Sequence, residues 1–347
     1  MSYITGDTIT VLNDAGETVG INRRVLTHVE QEAYSALLRP VKFRTLMPVG
    51  SFGVPEWVQT MEYDVVTRHA SWRPVEWAGD SDDISVAEVS IGTNTMYLFA
   101  MRSGYKYSDR ELFRAQQLKV SLDTERAIAV MQQAQTVLDE IAFKGTASLT
   151  DHAIPVATSR VYGLANLPGV TVDTSGAASG SENWDEVVAT AMAADPEDLA
   201  GAFQGAISTL VRDVIDFETQ VYSALKNNFG PDTMLMPESY RPLLKGLQHP
   251  FSGRSAESIM LENCSFINRF DYWNRLELGN AAGNGKRVIV YNRSDPRVVR
   301  YMLPKEPTPR PPFKREWDTF VGNELVTGGV QTKLPEGVLY FDPPATD

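Results

Sequence analysis

The chain has 347 residues, of which 43% are hydrophobic and 10% aromatic. That apolar content is enough to build a core, so disorder along the whole chain is excluded. At about 100–200 residues per domain, the length predicts roughly two domains. The net charge of -12 argues against a general nucleic-acid binder, because affinity for phosphates depends on Lys and Arg. It also argues against binding to a membrane surface.

The sequence offers no disulfide and no membrane-targeting feature. Cys264 is the single cysteine, so neither a disulfide nor a cysteine metal site can form within the chain, which suits a reducing cytoplasm. The N-terminus lacks a basic segment followed by an apolar one, and no long apolar run of the length needed to cross a bilayer occurs. We therefore expect neither a secretory signal nor a membrane-spanning helix.

The N-terminal segment predicts an extended arm followed by a short helix. Residues 1–23 are polar and weakly patterned. In residues 24–39 apolar side chains recur every four positions, as in an amphipathic helix, and Pro40 ends that pattern. The residues in this row are Val25, Val29, Ala33 and Leu37.

Residues 41–107 change to the pattern of β-strands. Two stretches rich in Val, Ile, Thr and Tyr flank a polar, acidic segment, which predicts a long hairpin with a polar tip. Trp57, Trp72 and Trp77 fall in this hairpin. A two-stranded hairpin is marginally stable alone in water, so these tryptophans predict packing against the subunit's own core or against another subunit.

A long helix is predicted next. The run "SDRE" beginning at Ser108 is a capping box that opens a first helix of about 109–119. A second helix runs from about Leu122 to Phe143, with apolar positions in steps of four and three, and Gly145 supplies its stop. About 22 residues give a rod of about 33 Å. Four acids near its ends are predicted to cap and solubilise the rod: Asp123, Glu125, Asp139 and Glu140.

The second half of the sequence alternates helices and strands. After loop-like residues 149–183, a short helix is predicted for Trp184–Ala193 and another after an N-cap at Asp195, with Pro196 at its first position. Short strands are predicted in "DTMLMP", "KRVIVY" and "RVVRYML", and two more close the chain. A proline-rich crossing precedes those last strands. The fold class predicted is α+β with long non-local connections.

No catalytic, cofactor-binding or metal residue is predicted. The histidines fall in four separate segments without a metal-binding spacing, which weakens zinc, general-base and triad chemistry together. The long helix also lacks the Glu-x-x-His pattern of a di-iron site. The histidines are His28, His69, His152 and His249.

Three short motifs come near to known sites and fail. "GNAAGNGKR" lacks the spacing of a phosphate loop and has Arg287 where Ser or Thr should bind magnesium. "DSDDISVAEVSI" has Ser85 and Ile91 where a calcium loop needs Gly and Glu. "VGSFG" places Ser51 near two glycines without forming a nucleophile elbow. A hairpin turn and a solvated turn are the better interpretations of the first two.

The order of three motifs resembles one family. The first is Tyr107–Ala115, with Glu111 and Leu112; the second is Leu122–Ala127, with the sequence "LDTERA"; the third is Gly163–Val170, with "GLANLPGV". In this order the sequence resembles the major capsid proteins of tailed bacteriophages, which have the Hong Kong 97-type fold. The resemblance covers most of the chain, from about Arg24 to Phe341.

The resemblance implies a subunit with named parts. The long helix would stiffen a wide, flat subunit, and the hairpin would reach a neighbouring subunit through Trp57, Trp72 and Trp77. The parts expected are an N-terminal arm (1–49), an extended loop (50–102), a peripheral domain with the long spine helix (103–164), an axial domain (165–300) and closing strands that return to the peripheral domain (301–347).

The function implied is structural, not enzymatic. We expect pentamers and hexamers that form an icosahedral shell around packaged double-stranded DNA, assembled in the host cytoplasm and located in the virion. Expected partners are other copies, a separate scaffold protein (since only about 50 residues precede the hairpin), a portal, non-specific contact with DNA and, optionally, decoration proteins. No cofactor, membrane contact or isopeptide cross-link is expected.

Three alternatives to the capsid interpretation stay open at this point. An encapsulin-like nanocompartment would use the same fold to enclose protein cargo, so the content of the shell distinguishes it. A hydrolase or metal enzyme would need a site that the sequence does not display. A tail or decoration protein is disfavoured by the long helix and the length of the chain.

Overall fold

The computed structural model describes residues 3–5, 8–12, 18–22, 41–69, 88–111, 113, 122–148, 161–174, 184–195, 198–279 and 285–343. The chain divides into two compact units, Met1–Pro40 and Val41–Asp347. The first contains three short antiparallel strands in the order β1-β2-β3. They are β1 (Tyr3–Thr5), β2 (Thr8–Leu12) and β3 (Thr18–Asn22). The helix predicted for residues 24–39 lies outside the described residues.

The second unit combines helices with several small sheets, as the α+β class requires. Its helices are α1 (Phe43–Leu46), α2 (Leu122–Lys144), α3 (Trp184–Met192), α4 (Leu199–Ala224), α5 (Tyr240–Gly246) and α6 (Ala256–Asn263). Its strands are β4 (Val49–Gly50), β5 (Thr60–His69), β6 (Glu88–Tyr97), β7 (Phe99–Ser108), β8 (Thr171–Asp173), β9 (Thr233–Met236), β10 (Arg269–Tyr272), β11 (Val288–Tyr291), β12 (Arg300–Met302), β13 (Lys305–Pro309), β14 (Phe313–Arg315), β15 (Asp318–Thr327), β16 (Gly329–Gln331) and β17 (Val338–Phe341). Within the described ranges, short 3-10 helices cover Gly145–Ser148, Asn274–Leu278 and Pro335–Gly337.

The predicted long hairpin is confirmed. Strands β5 and β6 pair antiparallel over ten residues each, from Thr60 opposite Tyr97 to His69 opposite Glu88. They form a two-stranded sheet of their own. The tip, with Trp72 and Trp77, lies outside the described residues.

The second predicted strand of the hairpin is two strands in the structure. It is interrupted at Leu98, whose side chain is buried, and β7 leaves the hairpin to pair with β15 over its full length. Strand β15 also pairs with β13 and β14, which the sequence had suggested to be a proline-rich crossing. The hairpin therefore emerges directly from the edge of this four-stranded sheet.

The predicted long helix is confirmed as α2. It ends at Lys144, and Gly145 follows with a left-handed φ of 64°. At 1.5 Å per residue, its 23 residues extend about 34 Å. Among its described side chains, those of the C-terminal half are the deeply buried ones: Leu138 and Ile141 are fully covered, whereas Met131, seven residues before Leu138, is 36% exposed.

A five-stranded sheet, in the order β10-β9-β11-β17-β8, separates two hydrophobic cores. Along the central strands β9, β11 and β17 the side chains alternate between the cores, since successive residues of a strand point to opposite faces. On β17, for example, Val338 and Tyr340 belong to the core with α2, whereas Leu339 and Phe341 belong to the core with α3 and α4. This double burial explains why β9, β11 and β17 contain no charged residue and are buried throughout.

Helix α4 starts later than the sequence predicts. Helix α4 begins at Leu199 with Asp198 at its N-cap, so the predicted N-cap at Asp195 is wrong. The backbone carbonyl of Asp195 instead accepts from the Asp198 amide at 2.9 Å, which makes a turn before the helix.

The closing segment contributes strands to more than one sheet. It contributes β15 to the sheet with β7, but β17 joins the five-stranded sheet. The domain borders stay a prediction.

Candidate assembly surfaces

The C-terminus of α2 is capped by the motif "GLANLPGV", which gives that motif a structural role. The last carbonyls of a helix have no partner within it. Here the amides of Leu164 and Ala165 donate to the carbonyls of Ala142 and Phe143 at 2.7 and 2.9 Å. Asn166 donates from Nδ2 to the Lys144 carbonyl at 2.9 Å. The motif therefore ends the rod and turns the chain toward the five-stranded sheet.

Tyr340 fixes the same motif to that sheet. Its hydroxyl donates to the carbonyl of Leu164 at 2.6 Å and accepts from the amide of Leu167 at 2.9 Å. Arg287 stacks over the Tyr340 ring, with its Cζ 4.3 Å from the ring centre, and forms a buried ion pair with Asp342. Arg287 was considered in the sequence only as a failed phosphate-loop position, so its structural role was missed.

Asp139 joins the rod to two other parts of the chain. Its Oδ1 accepts from the amides of Lys42 and Phe43 at 3.1 and 3.2 Å, and its Oδ2 accepts from Arg275 Nε at 2.6 Å. The residue is 3% exposed. The prediction that this acid solubilises the helix is therefore wrong. The residue type alone could not show that Asp139 is buried, because its hydrogen-bond partners are about 100 or more residues away in the sequence.

The base of the hairpin is held by a charged cluster around Glu324. Arg102 on β7 lies 3.1 Å from its carboxylate, Arg310 forms a second ion pair, and Lys305 lies 3.6 Å away. Hydrogen bonds from Arg310 and Arg102 lower the pKa of Glu324 to about 2. Lys305 also pairs with Glu56 at 2.8 Å, just before the hairpin. The cluster therefore connects the start of the hairpin to β7, β13 and β15.

Trp57 lies beside this cluster and is 79% exposed. It borders a cleft of about 650 Å³, together with Tyr97 at the base of the hairpin and Lys305 and Arg310 of the charged cluster. An indole exposed to this degree has not found a place in the subunit's own core. Of the three tryptophans predicted to contact a neighbour, Trp57 is the one whose surroundings the structure describes.

A second exposed aromatic group lies at the far end of the β7–β15 sheet. Trp317 is 77% exposed and Phe113 is 69% exposed, and both line a cleft of about 580 Å³ with Ser108–Arg110. The capping box predicted here is confirmed, because Ser108 and Glu111 exchange backbone and side-chain hydrogen bonds at 3.3 Å in both directions. The sequence signal was Trp317 itself, placed in a charged turn, but no contact role was predicted for it.

The N-terminal half of α2 offers a third apolar surface. Ile128 is 44% exposed and Met131 is 36% exposed, and a shallow groove of about 350 Å³ runs between them. Such side chains on a helix normally face a partner. Together with the two clefts, this leaves apolar side chains uncovered at several separate places on the second unit.

The described residues contain neither a metal-binding cluster nor a helix able to span a membrane. Across the ranges for which the structure gives side chains, no group of His, Cys, Asp and Glu is arranged to hold a metal ion. Cys264 is half-buried, and burial raises the pKa of its thiol to about 12, so it is a poor nucleophile. Each helix within the described ranges is too short or too polar to cross a bilayer.

Comparison with solved structures defines the class of fold. The chain is similar to the capsid protein of Myoviridae phage XM1, with a TM-score of 0.71 and 15% identity over 93% of this chain and 99% of that one. It is also similar to a protein of Mycobacterium phage Ogopogo (TM-score 0.55, 12% identity, 91% and 96% covered) and to the capsid of a native GTA particle (0.53, 11%, 92% and 95%). The fold is therefore that of Hong Kong 97-type capsid subunits. No curated protein sequence matches the chain.

Family membership follows from the sequence match. The model of the major capsid protein family matches residues 75–343. The chain belongs to the major capsid protein family, and it is a structural subunit of a virion shell. The predicted fold and the predicted structural role are confirmed, and the encapsulin-like alternative has less support.

Proposed function

We propose that the chain assembles into pentamers and hexamers, and that these close into an icosahedral shell around packaged double-stranded DNA. The observation that carries the proposal is the hairpin of β5 and β6, which forms a sheet of its own in a subunit of the capsid family. A two-stranded ribbon gains too little from its own contacts to be stable alone. A neighbouring subunit is the surface that would complete it.

The parts of the subunit follow the expectation for the family. Residues 1–49 act as the N-terminal arm, 50–102 as the extended loop and 103–164 as the peripheral domain with its spine helix. Residues 165–300 form the axial domain, and 301–347 supply the closing strands. In this arrangement α2 is the stiff element, and the Glu324 cluster sets the direction in which the hairpin leaves the subunit.

The tryptophans of the hairpin, Trp57, Trp72 and Trp77, make the contacts between subunits. Each indole buries on the order of 150–250 Å² when it is covered. At about 25 cal/mol/Å², this gives about 4–6 kcal/mol of gross transfer free energy per residue, before the entropy of association is subtracted. The exposure of Trp57 at 79% in the single subunit supports this role, because nearly all of its surface is available to a partner.

The role is non-enzymatic, and the partners are macromolecular. Other copies of the chain, a separate scaffold, a portal and optional decoration proteins would contact the subunit, and assembly would take place in the host cytoplasm. Contact with packaged DNA is non-specific, which the net charge of -12 supports since phosphate contacts need an excess of Lys and Arg. No cofactor takes part.

The test is to express the chain alone and examine it by sedimentation and negative-stain microscopy. Pentamers, hexamers or closed shells are the expected result. A chain that stays monomeric when its scaffold and portal partners are supplied would contradict the proposal. The content of the particles separates the two shell functions: DNA supports a capsid, whereas an enclosed enzyme would support the encapsulin-like alternative.

A further inference from the structure

Arg300 is a cation that the subunit buries without an acidic partner among the described residues. The residue is 9% exposed and lies on β12, directly opposite Gln331 on β16. Its Nη2 donates to Gln331 Oε1 at 3.1 Å, while its Nε has no acceptor in the described part of the chain. Arg275 and Arg287, at similar depth, both form ion pairs with carboxylates. Arg300 therefore differs from these two arginines in having no carboxylate partner among the described residues.

Arg300 and Gln331 present hydrogen-bond donors that have no partner among the described residues and are of the kind that bind an oxyanion. Gln331 Nε2 is also buried and has no hydrogen-bond partner in the described part of the chain. Together with Arg300 Nε, on the facing position of β12, it gives one positive charge and two groups able to donate a hydrogen bond. Leaving a buried charge and buried donors unmatched is costly. A neutral ligand would leave the charge uncompensated, whereas a carboxylate would satisfy both requirements.

Phe52 packs against Arg300. Its ring lies 5.0 Å from Arg300 Cζ, so it offers a cation–π contact, and it is 38% exposed. Phe52 also has a left-handed φ of 47°, which is unfavourable for a bulky residue. Strained residues of this kind are concentrated at binding sites and at elements that move.

The site lies at the base of the hairpin, where neighbouring subunits are proposed to meet. Tyr63 on β5 donates from its hydroxyl to the carbonyl of Thr332 at 3.2 Å, and Lys333 lies over the Tyr63 ring at 5.5 Å. Strand β12 also pairs with β4, which leads into the hairpin through Ser51–Gly53. A partner that contacts the hairpin base therefore comes close to Arg300.

We infer that Arg300, with Gln331, binds a carboxylate side chain from a second copy of this chain. The inference rests on the proposed assembly. The chain carries 44 acidic and 32 basic residues, so copies of it bring an excess of carboxylates to any contact between them. A phosphate of duplex DNA fits less well, because the rigid double helix cannot easily reach a residue that is nine-tenths buried.

The test compares two charge-removing substitutions of similar shape, Arg300→Met and Arg287→Met. In the unassembled subunit, Arg300→Met lowers the unfolding midpoint less than Arg287→Met does, because it removes one hydrogen bond and a cation–π contact but no ion pair, whereas Arg287→Met strands Asp342. Sedimentation gives the protein concentration at which half of the chain is assembled. Arg300→Met raises that concentration by about 30-fold or more, since one partner of a buried charge pair is lost.

Three results would overturn the inference. The first is an unfolding midpoint that Arg300→Met lowers as much as Arg287→Met does, which would show an acidic partner within the subunit. The second is assembly of the variant and the wild type at the same concentration. The third is a defect that appears only when duplex DNA is present, which would identify the ligand as a DNA phosphate. A wild-type chain that fails to assemble with its partners supplied would instead contradict the proposed function itself.

Discussion

Asp139 and Arg275 form a buried ion pair, with 2.6 Å between Oδ2 and Nε, although 136 positions separate them in the sequence. The pair fixes the long helix α2 to the 3-10 helix that follows β10. Because Asp139 also accepts the amides of Lys42 and Phe43, three separate segments meet at one carboxylate. Such a joint fixes the position of α2, since apolar packing alone allows packed helices to slide.

Asp139→Asn tests this joint. The change keeps the shape but removes the charge, which leaves Arg275 with only the more exposed Glu140, 3.6 Å away. Breaking a buried pair costs about 3–5 kcal/mol of the free energy of unfolding, and the remaining contact with Glu140 puts the expected loss at the lower end of that range. Urea unfolding of the unassembled subunit measures it. The control is Gln132→Ala on an exposed position of the same helix, where a change within about 0.5 kcal/mol is expected. Equal changes in the free energy of unfolding for the two substitutions would show that the Asp139 contacts do not stabilise the subunit.

Gly145→Ala tests the cap at the end of α2. The residue has a φ of 64°, and an added Cβ would lie 2.0 Å from the carbonyl oxygen of Val161, so the backbone would have to move. We expect a loss of soluble protein or a clearly lower unfolding midpoint. Gly201→Ala in α4 is the matched control: its Cβ would meet nothing within 4 Å, and alanine favours a helix by about 0.5–1 kcal/mol. The prediction fails if both variants are equally stable.

The Glu324 cluster predicts a particular dependence on pH. The folded-state pKa of Glu324 is depressed to about 2, from an ordinary value of 4.5, by Arg310 and Arg102. A depressed carboxyl pKa contributes stability above the unfolded value, and that contribution is lost as the pH falls from about 4.5 toward 2. Thermal unfolding of wild type and Glu324→Gln should therefore differ most above pH 5 and converge at lower pH. A difference that does not change with pH would contradict the assignment.

Trp57→Ala separates assembly from folding. The side chain is 79% exposed in the subunit, so its removal should leave the unfolding midpoint within experimental error while it weakens assembly. Sedimentation of the assembled and unassembled fractions measures the effect. Trp184→Ala is the control for folding, because Trp184 is buried and donates from Nε1 to Asp213 at 3.0 Å. Normal assembly of Trp57→Ala would remove Trp57 from the contact.

Trp72 and Trp77 fall in the sequence between β5 and β6, and the same prediction applies to them. Their replacement by alanine should block shell formation and leave the single subunit folded. Circular dichroism and microscopy of the two variants provide the check. Shells that form as in the wild type would contradict the proposal that the hairpin carries the contact.

Local patterns in the sequence were sufficient to predict the elements whose stabilising contacts are between residues close in the sequence. The 3.6-residue periodicity and Gly145 located α2 to within a residue or two, and the two β-rich stretches located the hairpin. The capping box at Ser108 was also found, because both of its hydrogen bonds lie within one turn. These are features in which the residues that interact are close in the sequence.

Features that depend on distant partners could not be predicted in this way. Nothing near Asp139 indicates that Arg275 will neutralise it, and nothing near Phe99–Ser108 indicates that it pairs with Asp318–Thr327. The exposed Trp317 and the unpaired Arg300 were missed for the same reason. Exposure and burial are properties of the folded subunit, and a sequence pattern gives only the residue type.

A cryo-EM structure of the assembled particle tests the central claim most directly. The account predicts a closed shell in which the hairpin of β5 and β6 lies on a neighbouring subunit and Trp57 is covered by that neighbour. A particle in which the hairpin contacts only its own subunit, with Trp57 still exposed to solvent, would contradict it.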